Sequence, residues 1–259
     1  MADLLPVEQC DRWVSQKKEE VSFLKDCADN IRDSFAVSQV DNKAEVRGSE
    51  VMVATKAAAD ALPCSRVAKM HRATKETDIV LTLDLDGTGS TCVATGVPFF
   101  DHLLDAFGRH GLFNLAVQAS GDIEVDAHHT VEDVGIVLGQ AVASALGDKR
   151  GIVRYGSQFV VMDEALVLAA CDISGRGQLH YDVALPIEMV GTFDTTLAKE
   201  FLIALATNAG ITLHVVGYKG ENSHHILEAV FKAVGRVLCE ATALNPRIEG
   251  VLPSTKGSL

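Results

Sequence analysis

Two short stretches of this chain carry the residue types of a metal centre. His128-His129-Thr130-Val131-Glu132-Asp133 and His224-His225-Ile226-Leu227-Glu228-Ala229 both read His-His-x-x-Glu. Each opens a run of apolar residues at helical spacing. Val134, Val137, Leu138, Ala141, Val142 and Leu146 follow the first, and Val230, Val234, Val237 and Leu238 the second. On a helix, neighbouring side chains point about 100° apart, so adjacent histidines diverge, while a glutamate three and four residues on shares a face with both. One copy therefore suits two ions, one on each flank, better than one ion. Imidazole nitrogen with carboxylate oxygen suits manganese, iron, zinc or nickel. A single copy would read more readily as two solvated histidines at a helix start. Two copies with the same spacing, each heading an amphipathic run, argue against chance.

The elements that must position these motifs also repeat. Ile79, Leu81, Leu83 and Leu85 alternate with polar or small neighbours as a strand does, and Gly87-Thr88-Gly89 turns the chain. Residues 98–109 read as a helix carrying His102, and 113–119 with 122–126 as a hairpin about Ser120-Gly121. The first His-His helix then runs to about Leu146. In the second half, strands are expected at 159–162, 165–173, 179–185 and 211–218, and a helix over 195–208 precedes the second His-His helix, which ends near Ala243. Strand, helix, strand, His-His helix occurs twice, so the chain is internally duplicated. Sliding the halves together sets Glu200 opposite His102, giving each half one upstream ligand, two histidines and one glutamate.

Composition bounds the rest. The chain has 259 residues, and a net charge of −12 argues against nucleic acid as the main partner. Six cysteines without Cys-x-x-Cys pairing read as reduced thiols, and neither a membrane span nor a leader is evident, so the cytoplasm is expected. Residues 1–68 differ in character. One or two amphipathic helices are expected between about 6 and 36, then a polar linker and an Ala-rich segment closed by Pro63. This reads as an extension of unknown role ahead of a domain at 72–259, made of repeats 72–155 and 156–259.

The core segments resemble those of the imidazoleglycerol-phosphate dehydratase family. The matching residues are Arg72-Ala73-Thr74-Lys75-Glu76-Thr77, Gly96-Val97-Pro98-Phe99-Phe100-Asp101-His102, Asp126-Ala127 with the first His-His motif, Ser174-Gly175-Arg176, Asn222-Ser223 with the second, and Pro253-Ser254-Thr255-Lys256-Gly257. The resemblance implies an α+β fold of two ribosomal protein S5 domain 2-like halves, each a four-stranded sheet with two helices on one face. It implies two Mn²⁺ ions per active site, sites between subunits, and trimers assembled into a shell of about 24 copies. By position, the implied metal ligands are His102, His128, His129, Glu132, Glu200, His224, His225 and Glu228. Glu200 is a departure, because the family usually has histidine there; a carboxylate still binds Mn²⁺ but lowers the local charge by one. Arg154, Arg176, Ser254 and Lys256 match phosphate-contacting positions, and guanidinium forks and a hydroxyl suit phosphate oxygens.

The implied reaction dehydrates D-erythro-imidazole glycerol phosphate to imidazole acetol phosphate in histidine biosynthesis. The implied chemistry is ionisation of the imidazole at the two metals, with an imidazolate or diazafulvene-like intermediate. Glu76 or Glu228 would move the C2 proton and Lys232 would hold a hydroxyl. Two rivals stand beside this reading. Asp84-Leu85-Asp86-Gly87-Thr88 looks like a haloacid-dehalogenase-type phosphatase motif, though a strand ending in a glycine turn explains it better. A metal-binding shell that kept the fold and lost catalysis is the other.

Overall fold

A computed structural model describes residues 66–259. The helices and linker expected within 1–65 lie outside the described residues. Strands β1 (Val67–Ala73), β2 (Thr77–Asp84), β3 (Thr91–Ala94) and β4 (Asn114–Gly121) form a sheet in the order β1-β2-β4-β3. All neighbours are antiparallel except β3 beside β4. The second half contributes β5 (Tyr155–Met162), β6 (Ala165–Asp172), β7 (Gln178–Asp182), a small hairpin β8 (Met189–Val190) and β9 (Phe193–Asp194), and β10 (Thr212–Lys219). Its sheet runs β5-β6-β10-β7, with β7 parallel to β10. The same order with the same directions, twice, is the duplication seen in the motifs.

Alternation explains which face each sheet buries. Ile79, Leu81 and Leu83 of β2 are fully buried, whereas Asp78 and Val80, which alternate with them, are exposed. Val167, Ala169 and Cys171 of β6 do the same for the second sheet. Helices α1 (Pro98–His110) and α2 (His128–Leu146) cover the inner face of the first sheet, and α3 (Leu197–Ala209) and α4 (Ser223–Thr242) that of the second. Pro98 starts α1 where its missing N–H costs nothing.

The halves meet helix to helix and exchange partners, α1 packing on α4 and α2 on α3. Glycine permits the close approach: a Cβ on Gly235 would strike the Phe107 carbonyl, and one on Gly135 would lie 2.6 Å from the Phe201 carbonyl oxygen. Phe100, Phe201 and Phe231, all fully buried, interlock where α1, α3 and α4 meet, with ring centroids 5.2–6.5 Å apart. Each such ring contributes about 1.5–3 kcal/mol by its burial. The two halves therefore share one core.

The structure departs from the sequence reading in places that matter to the site. Residues 122–126 are not a strand; Val125 N–H bonds the Asp122 carbonyl at 2.8 Å in a turn leading into α2. The first strand begins at Val67 and runs past residue 72. The β8–β9 hairpin, which nothing in the pattern announced, buries Phe193 against Phe99 at 5.5 Å. Asp84 is buried at the end of β2, where its carboxylate accepts from Asp86 N–H (3.0 Å) and the Asn114 amide (3.3 Å). It organises a strand-end turn, and the mostly antiparallel sheets are not those of a doubly wound phosphatase. Among the described residues, no helix is long and apolar enough to cross a membrane.

Candidate metal centre

Both motifs sit on the first turn of a helix, and each is started the same way. The Asp126 side chain accepts the His128 N–H at 2.7 Å, and the Asn222 side chain accepts the His224 N–H at 2.9 Å. A short polar side chain two residues ahead of the first histidine thus satisfies a backbone donor that the helix cannot. The paired rings then diverge. His128 and His129 are inclined 87° to each other, and His224 and His225 86°. The first ring of each pair turns along its own helix toward the motif glutamate. His128 Nε2 lies 3.8 Å from Glu132 Oε2, and His224 Nε2 lies 3.4 Å from Glu228 Oε2.

His102 completes a group, but not with its own half. Because α1 packs on α4, its Nε2 lies 3.5 Å from Glu228 Oε2, beside His224. Nitrogen, nitrogen and oxygen from His102, His224 and Glu228 all fall within 4.8 Å of one another, the one such set among the described residues. The upstream histidine therefore sits with the motif of the opposite half, a grouping that linear order hides and helix exchange imposes. Phe99 supports the rings, its centroid 4.9 Å from that of His224. On Glu228, burial raises the carboxyl's pKa, but the Lys232 ammonium 2.7 Å from Oε1 and His102 outweigh it, and the group sits below its ordinary value. It is thus ionised with Oε2 toward the histidines, and an N₂O donor set of this kind fits Mn²⁺ or another divalent ion.

Glu200 lies half-buried on α3, whose start shares a cavity of about 480 Å³ with His128. It does not join His128 and Glu132 as a compact trio.

The second histidines point elsewhere. His129 Nδ1 lies 3.0 Å from Asp122, and His225 Nδ1 2.7 Å from Glu164. Asp163 lies 3.7 Å from His225 Nε2. Hydrogen bonding to Asp122 raises the pKa of His129, and that to Glu164 raises that of His225. The same contact, with help from backbone N–H groups, holds Glu164 down at about 2. Sequence reasoning missed both carboxylates. Glu164 is 61 residues from its histidine, and Asp122 opens a stretch whose alternation reads as a strand. The duplication was the available signal, since Glu76 and Glu164 each directly precede the second strand of their sheet. Glu76 adds its negative field at His129, and its carbonyl accepts the Asp122 N–H at 3.1 Å.

The expected anion-binding residues gather at another corner. Arg154 holds Asp172 through Nε (2.7 Å) and Nη2 (3.2 Å) and the Pro253 carbonyl through Nη1 (2.7 Å). This ties down the tail bearing Ser254 and Lys256, while Gly175, next to exposed Arg176, lies against Leu259. The Arg154 N–H also bonds the Ala241 carbonyl at 2.8 Å, near the C-terminal end of α4. His224 is at the other end of that helix, roughly 25 Å away at about 1.5 Å per residue.

Fold and site together define a duplicated α+β protein with a histidine–carboxylate centre built across its halves. Comparison with known proteins agrees. Residues 95–238 match the family model described as imidazoleglycerol-phosphate dehydratase. The imidazoleglycerol-phosphate dehydratase of Acetivibrio thermocellus is 59% identical over 191 residues, covering 74% of this chain and 97% of that one. That of Dinoroseobacter shibae is 59% identical over 194 residues, covering 75% and 100%. Among solved structures, the Staphylococcus aureus dehydratase superposes with a TM-score of 0.62 at 38% identity, covering 69% of this chain and 98% of that one. The Pyrococcus furiosus enzyme, solved in complex with (S)-C348, gives 0.64 at 36% identity, covering 73% and 100%. The chain belongs to the imidazoleglycerol-phosphate dehydratase family, and it is a dehydratase, a hydro-lyase.

Proposed function

We propose that the chain converts D-erythro-imidazole glycerol phosphate to imidazole acetol phosphate, a step of cytoplasmic histidine biosynthesis, at a site holding two Mn²⁺ ions. The observation that carries this is the His102–His224–Glu228 group formed across the duplicated halves. His102, His224 and Glu228 would hold one ion, with His128, Glu132 and Glu200 the corresponding set, and His129 and His225 the outward-facing ligands. When bound, the metals supply Lewis acidity toward an imidazole nitrogen. The chain's own groups do the rest. Glu76 takes the C2 proton, the C3 hydroxyl leaves as water, and the resulting enol becomes the ketone. Lys232 keeps Glu228 ionised and offers a donor to a substrate hydroxyl. Arg176, Ser254 and Lys256 hold the phosphate, and Arg154 fixes the tail that bears Ser254 and Lys256.

The span along α4 supports an assembly. One chain holds its metal-ligand group and its anion corner roughly 25 Å apart, far more than one imidazole glycerol phosphate can bridge. The working site therefore combines different copies, in keeping with trimers closing into a shell of about 24 subunits. Repeats 72–155 and 156–259, with the start of β1 from Val67, make up this catalytic unit. The test is turnover followed by NMR in the Mn²⁺-loaded enzyme. His224→Ala and Glu228→Gln should each lower kcat by at least about 100-fold, and Arg176→Ala should mainly raise KM. Wild-type turnover in both metal-group variants would overturn the assignment.

A further inference from the structure

The two second histidines share one device, and it is made from non-equivalent residues. On His225 the carboxylate at Nδ1 is Glu164, in the turn between β5 and β6. On His129 it is Asp122, just past β4, seven residues before the ring. The position equivalent to Glu164 in the first half is Glu76, in the turn between β1 and β2. The first half reaches from strand to helix through residues 122–127, against 220–222 in the second. Its longer connection is what supplies Asp122. Two different routes thus arrive at the same nitrogen of corresponding rings.

We propose that Asp122 and Glu164 are positioning residues. Each accepts the Nδ1 proton of its histidine, fixes that tautomer, and leaves Nε2 as the nitrogen that binds metal. A neutral imidazole has one donor nitrogen and one acceptor, so holding the proton on Nδ1 presents the Nε2 lone pair. A carboxylate at the outer nitrogen also raises the basicity of the ligand. The first half has recruited Asp122 for this work, which releases its turn glutamate, Glu76, to face substrate. The inference rests on the reading of His129 and His225 as metal ligands.

Glu164 allows a sharp test because its two oxygens have separate duties. Oε1 accepts the backbone N–H of Asn222 (2.9 Å) and of Glu221 (3.2 Å), and Oε2 alone meets His225. In Glu164→Gln the two backbone donors keep the amide oxygen on their side. The amide NH₂ then faces Nδ1, turns it into an acceptor, and puts the proton on Nε2. Glu164→Ala merely frees the ring. A role in folding alone predicts that the near-isosteric Gln resembles wild type and Ala is worse. The tautomer role predicts the opposite order.

The experiment titrates Mn²⁺ into metal-free full-length protein, reading the free ion by EPR, with melting temperature measured alongside. Variants are Glu164→Gln, Glu164→Ala, Asp122→Asn, Glu76→Gln and His225→Gln. Glu164→Gln should weaken binding about 10- to 100-fold, at least as much as Ala, with little change in melting temperature. Asp122→Asn should weaken it at the other ring. Glu76→Gln should leave Mn²⁺ affinity within about twofold of wild type while lowering kcat. Unchanged affinity in Glu164→Gln, with His225→Gln strongly impaired, would overturn the positioning role. Unchanged affinity in His225→Gln would instead remove the ligand reading beneath it.

Discussion

Adding one methyl group at Gly135 tests whether helix exchange sets the geometry of the site. The Cβ of Gly135→Ala would lie 2.6 Å from the Phe201 carbonyl oxygen, 2.9 Å from Ala204 Cβ and 3.2 Å from the Phe201 ring. These are about 0.3–0.9 Å short of a contact at about 3.5 Å. Two of the three atoms are backbone or Cβ and cannot rotate away, so α2 and α3 must separate. Overpacking of this kind costs about 1–3 kcal/mol, against a gain of up to about 1 kcal/mol from replacing glycine within a helix. The clash should win by up to about 2 kcal/mol, at about 2–4 °C of melting temperature per kcal/mol. Gly135 follows Glu132 by one turn, and Phe201 adjoins Glu200, so the same movement displaces the residues proposed as ligands. A misplacement approaching 1 Å can cost about 100-fold, so kcat should fall by tenfold or more. Differential scanning fluorimetry and steady-state turnover read the two effects. A variant that melts at or above wild type with unaltered turnover would refute the reasoning, because propensity alone would then have decided the outcome.

Mixing experiments should reveal sharing of the site between copies. His224→Ala and Arg176→Ala proteins, each impaired alone, should recover turnover when unfolded together and co-refolded; no recovery above the sum of the separate activities would contradict shared sites. Asp133 is buried and accepts from Thr77 Oγ1 and from Arg72 Nε (3.1 Å) and Nη2 (3.0 Å). Asp133→Ala should destabilise the protein by about 1–3 kcal/mol, and an unchanged urea midpoint would count against that network. Burial, with a smaller contribution from Asp172, pushes the Cys171 thiol up to about 12. At pH 8 only about one molecule in ten thousand carries that thiolate, so peptide mapping should find Cys171 unalkylated in native protein and alkylated once unfolded. Native labelling as fast as that of a free thiol would show the strand to be open.

Much of this was legible in the sequence because the signals are local. The His-His-x-x-Glu spacing fixes the divergence of the rings, and the apolar stripes from Val134 and Val230 fix the helices behind them. The alternation through Ile79, Leu81 and Leu83 likewise gives a strand with one buried face. What was not legible depends on tertiary exchange. His102 joins His224 and Glu228 because glycine brings α1 onto α4, and no linear repeat encodes which helix of the other half is met. The stretch from Asp122 to Asp126 alternates like a strand, yet β4 ends at Gly121 and the segment folds into a turn that carries Asp122 to His129. Glu164 reaches His225 across 61 residues, a distance at which only the equivalence with Glu76 offered guidance. The β8–β9 hairpin is too short to leave a periodicity at all.

Removing and restoring manganese probes the heart of the account. Protein stripped by chelation and dialysed free of chelator should be inert toward imidazole glycerol phosphate. Stepwise Mn²⁺ should restore turnover until two ions are bound per chain, and then no further. Turnover that persists in protein shown by elemental analysis to hold no metal, or that reaches its full value before any ion is bound, would contradict it.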